Sequence, residues 1–198
     1  MFELLTGTGL AISAGLNAYI PLLALGLAGR FLDFIDLPAG WSWLESPWAL
    51  GILALLLVIE IVADKIPIVD SINDWLQTIV RPTAGGLAFA SGSTSTTSVV
   101  SDPDAFFSSQ QWVPLALGAG IALVVHLTKA ASRPVINAAT VGTATPVVSA
   151  AEDVSSVVVT VMALLIPILI LLVIPIVAWL VWWIARRWSR RGRAPQRI

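Results

Sequence analysis

The sequence predicts an all-α membrane protein of about four transmembrane helices, with short re-entrant or interfacial helices between them. Composition, run length and the ending of the chain lead to that class. Of the 198 residues, 57% are hydrophobic and 12% charged, against about 25% charged in a soluble domain. Mean hydropathy is +0.89, and the apolar residues gather into runs long enough to cross hydrocarbon, about 20 residues each. Six arginines between Arg186 and Arg197 close the chain. The absence of cysteine excludes disulfides, thiolate metal sites and cysteine nucleophiles. A single histidine excludes a His-rich zinc site. No Lys or Arg precedes Arg30, so the basic region of a cleaved signal peptide is missing and the first apolar run is expected to stay.

Residues 6–29 read as the first span. Gly7, Ala11 and Gly15 recur every four residues, as do Ala14 and Ala18, and such stripes let a second helix come close in lipid. Pro21 is expected to kink this span, and Asn17 to bond a neighbouring helix or a freed carbonyl. Residues 30–47 form a loop in which Trp41 and Trp43, with Trp48 just after it, read as an interfacial belt. The second span, 48–64, ends in the charged stretch V-I-E-I-V-A-D-K-I-P-I-V-D (58–70). Apolar positions from Ile68 to Val80 have helical spacing, but Arg81-Pro82 reads as an end, so 67–91 is expected to be a broken segment. A polar, Ser/Thr-rich loop covers 92–111.

The third span is 112–131, followed by a second broken segment, 134–149, too hydroxyl-rich to sit bare in lipid. Ser149 and Glu152 match a capping box that opens the last span, 154–182, with kinks expected at Pro167 and Pro175. Residues 1–184 thus read as one transmembrane domain, and 185–198 as a basic tail that the positive-inside rule keeps cytoplasmic. Four spans would place the N-terminus there too.

Aligning Pro47 with Pro114 without gaps gives eight identities, ending at Pro67 and Pro134, where about two or three are expected between spans of this composition. With the two spans antiparallel, that is an inverted repeat, a transporter habit in which paired broken segments mark a site. Glu60 and Asp64 share one helix face, and His126, Lys129 and Arg133 share another. A charge at a helix centre costs about 2.5–3.5 kcal/mol, and pairing lowers that cost. The acidic pair is therefore expected to meet the basic group across the bundle. One reading is a static salt-bridge lock, with Lys65 and Arg133 reaching for the headgroups. The other is a polar pathway in which Glu60 or Asp64 exchanges a proton or cation and His126 titrates near neutral pH. Lys65, Asp70, Asn17 and Asp153 complete the candidate set, while Glu152 is assigned to the cap. No nucleophile–base pair, phosphate loop or metal spacing accompanies these residues, so neither an enzyme nor a cofactor is expected.

G-L-N-A-Y (15–19), A-D-K-I-P-I-V-D (63–70), I-V-R-P-T-A-G (79–85), H-L-T-K-A (126–130) and S-A-A-E-D (149–153) together resemble the bacterial membrane family called domain of unknown function 4126. In that family an N-T-S-P-E-P-like stretch precedes the E-D pair. Here residues 137–146 read N-A-A-T-V-G-T-A-T-P, without the acid. The resemblance implies an integral membrane protein and brings no activity with it. The expected function is a small transporter or channel for an ion or small polar solute. Its alternative is a non-transporting scaffold or accessory subunit whose charges only fix helix packing. Expected partners are the lipid bilayer, a small ion or solute, and a second copy through the small-residue faces, with no nucleic acid.

Overall fold

Hydrocarbon offers no hydrogen bonds to a backbone, so a chain of this composition must satisfy its N–H and C=O groups within each segment. Every regular element among the described residues is accordingly a helix. The computed structural model describes residues 2–33, 35–37, 39–92 and 112–191, with side-chain surroundings left aside at 67, 68, 70–72 and 187–191. In order these are α1 (Phe2–Leu16), α2 (Tyr19–Phe31), a 3-10 turn (Ala39–Glu45), α3 (Pro47–Ala63), α4 (Pro67–Gly92), α5 (Trp112–Thr140), α6 (Thr145–Leu165), a second 3-10 turn (Pro167–Leu169) and α7 (Ile170–Arg191). The expected loop 92–111, beyond Gly92, and the end of the basic tail lie outside the described residues.

Three helices, α5, α6 and the Pro167–Arg186 stretch, are long and apolar enough to cross a membrane. The Ala39–Glu45 turn and α3, bent by 64°, make a fourth if they count as one span. The chain is an integral membrane protein built inside out. On α3 the bulky apolar residues Trp48, Ile52, Leu55, Val58, Ile59 and Val62 are exposed, and the helix buries only Leu53 and Glu60. The outward residues meet lipid and the inward face carries charge.

The helices approach closely where side chains are small. A Cβ on Gly15 would lie 2.6 Å from Val125 Cβ and 2.7 Å from the Ala122 carbonyl oxygen of α5. Gly85 and Gly118 abut where α4 crosses α5. Gly7 faces Phe89 of α4, and Ala11 is fully buried. The small-residue stripe of α1 is thus buried inside the chain, with Gly7 against α4 and Gly15 against α5. Ser13 joins α1 to α6, its Oγ lying 2.7 Å from Ser156 Oγ and 2.6 Å from Thr160 Oγ1. Interhelical hydroxyl bonds of this kind hold where hydrophobicity gives no drive.

The structure differs from the sequence expectations at several breaks. Residues 6–29 are not one kinked span. The chain stops at Leu16 and restarts at Tyr19, while Pro21 sits in the first turn of α2, where its missing N–H costs nothing. The segment expected to be broken over 67–91 is one helix of 26 residues with Pro82 inside it. Thr83 Oγ1 donates to the Ile79 carbonyl at 2.8 Å beside the proline gap, the kind of local support that lets a proline stay in a membrane helix. The second break shrinks to 141–144, because α5 continues through Pro134 to Thr140. There Val141 (φ 52°) and Gly142 (φ 78°) reverse the chain, and Gly142 N–H bonds the Asn137 carbonyl at 3.0 Å. The last run divides at Ile166–Leu169, and α7 folds back so that Trp183 and Ile184 line the same cleft as Glu152. Trp41 is only 8% exposed and packs inside the chain, whereas Trp43 and Trp48 lie on its surface.

Two glycines of α5 test the close approach. Gly118→Val should lower stability by about 1–3 kcal/mol through overpacking against α4. Gly120→Val, whose added Cβ meets nothing within 4 Å, should leave it unchanged. Thermal unfolding of both variants in one detergent measures the difference.

Candidate functional site

Each helix brings charge to one place for a local reason. The last turn of α3 carries Glu60, and Asp64 caps it with its N–H on the Glu60 carbonyl at 2.9 Å. Asn73, Thr78 and Arg81 lie along α4, and His126, Lys129 and Arg133 form one stripe of α5. Glu152 and Asp153 come from the second turn of α6. The break after α1 is made by Asn17, whose Oδ1 accepts from the N–H groups of Tyr19 (3.1 Å) and Ile20 (3.3 Å) and so serves the start of α2 as a cap. The same side chain donates to Asp153 Oδ1 at 3.0 Å. Ending α1 here leaves carbonyls without intrahelical partners, and cations fill them. Arg81 Nη1 donates to the Gly15 oxygen at 3.2 Å and Lys129 Nζ to the Leu16 oxygen at 3.3 Å. Positive charge at a helix C-terminus also complements its dipole.

Arg81 lies at the centre, 0% exposed. Its Nη2 is 2.8 Å from Glu60 Oε1 and 3.6 Å from Asp64 Oδ2. Lys129 Nζ stands 3.1 Å from Asp64 Oδ2 and 3.1 Å from Glu152 Oε2. Arg133 Nη2 is 3.5 Å from Asp64 Oδ2 and donates to Glu152 Oε2. Asn73 Nδ2 donates to the other Asp64 oxygen at 2.7 Å. At the edge, Lys65 Nζ is 3.9 Å from Asp153 Oδ2. Charges taken out of water survive only when paired and hydrogen-bonded in this way.

His126 is fully buried, and its neighbours set its protonation. Arg81 Nη1, which can only donate, stands 3.3 Å from Nδ1, so Nδ1 is the acceptor. Thr78 Oγ1 donates to the Asp74 carbonyl at 2.9 Å and is 3.1 Å from Nε2, so Nε2 carries the hydrogen. This chain of donors holds a neutral ring and leaves no acceptor for a second ring proton. A histidine titrating near neutral pH does not fit this arrangement.

Of the residues singled out from the sequence, Glu60, Asp64, His126, Lys129, Arg133, Asn17 and Asp153 come together, with Lys65 at the rim. The side chain of Asp70 lies outside the described ones. Glu152 is not a cap. α6 begins at Thr145 with Pro146 in its first turn, so Ser149 is inside the helix and Glu152 is free to pair with Lys129 and Arg133. Arg81 was missed because Arg81-Pro82 looked like a helix end. The spacing of Asp74, Gln77 and Arg81, three and then four apart, was the signal of a polar stripe running through.

A cleft of about 560 Å³ between α1, α5, α6 and α7 reaches the network at Lys129 and Glu152 and is otherwise walled largely by apolar side chains such as Val158, Met162 and Val177. No group of three His, Cys, Asp or Glu side chains placed to hold a metal ion occurs among the described residues.

Removing one partner of a buried pair leaves the other uncompensated, a loss of about 3–5 kcal/mol. Arg81→Met should therefore destabilise the protein by that amount in detergent melts, and Glu60→Met in the same chain should recover much of it. Arg81→Lys should restore the charge beside Glu60 and Asp64 without the second nitrogen that reaches the Gly15 carbonyl and His126. Equal melting of the single and double Met variants would show that the pair is not coupled.

Residues 4–187 match the family described as domain of unknown function (DUF4126), and the chain belongs to it. No curated protein and no solved structure matches the chain. All five sequence motifs that carry the family resemblance end in this one network: the Gly15 and Leu16 carbonyls with Asn17, then Asp64 with Lys65, Arg81, His126 with Lys129, and Glu152 with Asp153.

Proposed function

From membership of this family and a charged centre built by its motifs, we propose a small transporter or channel for an ion or small polar solute. Its polar pathway runs through Glu60, Asp64, Arg81 and Lys129, in the inner membrane of a bacterium with the arginine tail in the cytoplasm. The reading includes no covalent step and no cofactor. The observation that carries it is the interruption of the first apolar run at Asn17 inside the buried network, with the freed Gly15 and Leu16 carbonyls facing cationic side chains. Transporter sites are typically made by such discontinuous helices, whose unwound ends replace the solvation of charge at depth. The inverted repeat belongs to this reading, with the α3 half supplying acids and the α5 half bases, although α3 stops at Ala63 and α5 passes its matching point.

A second reading, a non-transporting scaffold or accessory subunit, is favoured by the closeness of the pairing: Arg81 and Lys129 each have carboxylate oxygens within 4 Å. Flux separates the two. Proteoliposomes bearing the parent protein should pass at least one small ion or solute. Glu60→Gln and Asp64→Asn, folded to the same extent, should cut that flux about tenfold or more, the effect of about 1.4 kcal/mol at the barrier. A parent inert toward protons, cations, anions and small polar solutes alike leaves the scaffold.

A further inference from the structure

Glu60 and Asp64 stand one helical turn apart with unlike surroundings. Asp64 has three cations within 3.6 Å, and Asn73 donates to its second oxygen. Glu60 has one cation, Arg81, on Oε1. Its other oxygen, Oε2, is buried and has no hydrogen-bond partner among the described residues, and the residue is 2% exposed. On α4, one turn before Arg81 and on the same face, Gln77 is 3% exposed with its Oε1 likewise lacking a donor. A buried acceptor without a donor is costly, and natural proteins leave few of them. A buried Oε2 without a donor asks for a hydrogen that a carboxylate does not have.

The charge count points the same way. Glu60, Asp64 and Glu152 face Arg81, Lys129 and Arg133, and Lys65 with Asp153 forms a pair at the rim. Half-buried Asp74, on the same stripe of α4, adds a carboxylate whose buried Oδ1 also lacks a partner among the described residues. Among the described residues, four carboxylates then stand with three cations around a neutral His126.

We propose that Glu60 is an exchangeable proton site. A proton adds to Oε2, forming an O–H bond and a neutral acid, and departs again as a proton, with no change in oxidation state. With Glu60 protonated, Arg81 keeps Asp64 as its counter-ion, and with Glu60 ionised the same guanidinium faces both carboxylates. Groups facing Glu60 are Tyr19 from α2, Arg81 from α4, Lys129 from α5 and Asp64 from its own helix end, while Asp74 and His126 stand around the same Arg81 and Gln77 is bonded to Tyr19. In the transport reading, on which the coupling role rests, this proton is the ion that moves or drives movement.

Two carboxyls held apart by their surroundings divide into one that stays charged and one that exchanges. Infrared difference spectra between acid and alkaline buffer, taken on the full chain in liposomes, test that division. The expected result is a protonated-carboxyl C=O band that titrates as one proton per chain, disappears in Glu60→Gln and persists in Asp64→Asn. Glu60→Asp should keep the band and move its midpoint, which guards against a Gln variant that folds poorly. A band that survives in Glu60→Gln overturns the proposal. So does its absence at every pH from about 5 to 8, or a centre that responds to sodium or potassium at fixed pH and not to pH itself. A titrating Glu60 in a protein without flux would retain the proton site and remove the transporter. Flux through a protein whose Glu60 never titrates would do the reverse.

Discussion

The architecture depends on one interaction, the burial of Arg81 between Glu60 and Asp64. An arginine cannot shed its proton to escape hydrocarbon, so everything around it must supply counter-charge and acceptors. Two carboxylates from the end of α3 provide the charge. The carbonyl of Gly15, released by ending α1 early, provides an acceptor. His126 turns its lone pair toward the same guanidinium. Four otherwise separate features thus share a single cause: a broken first span, charge at the end of the second, an unbroken α4 and a neutral histidine.

Packing follows from the same problem. Charged side chains from different helices meet only if the backbones come close, which is why the contacts among α1, α4 and α5 are made by Gly15, Gly85, Gly118 and Ala122. The apolar residues have no part in this centre and turn outward, as on α3. Lipid solvates that outer surface, and attraction between helices comes from fit and from polar bonds such as those of Ser13 with α6.

Composition and run length were enough to read the helical membrane class, and pairing logic was enough to bring Glu60 and Asp64 toward Lys129 and Arg133. What escaped was local competition. Pro82 reads as a stop by its missing N–H, yet burial of Arg81 against α1 and α3 outweighs one lost backbone bond and α4 continues. Ser149 and Glu152 have the spacing of a cap, but Pro146 starts the helix a turn earlier, which sends Glu152 to the charged centre. At Asn17 the polar residue, not Pro21, marks the break, because an amide can cap the next helix and bond Asp153 together. Each outcome was decided by a tertiary partner that spacing along the chain does not contain.

The unbroken α4 also bears on how such a chain enters a membrane. It is long enough to cross, yet it is not among the helices apolar enough to do so alone. The insertion machinery samples segments one after another, and α4 would arrive carrying Arg81 without the later helices that enclose it. The carbonyls of α1 and the acids of α3 are already in place at that moment, whereas Lys129 and Arg133 of α5 are not. A stable place for α4 in hydrocarbon therefore depends on neighbours, since its buried arginine is solvated by α1 and α3 and not by its own helix.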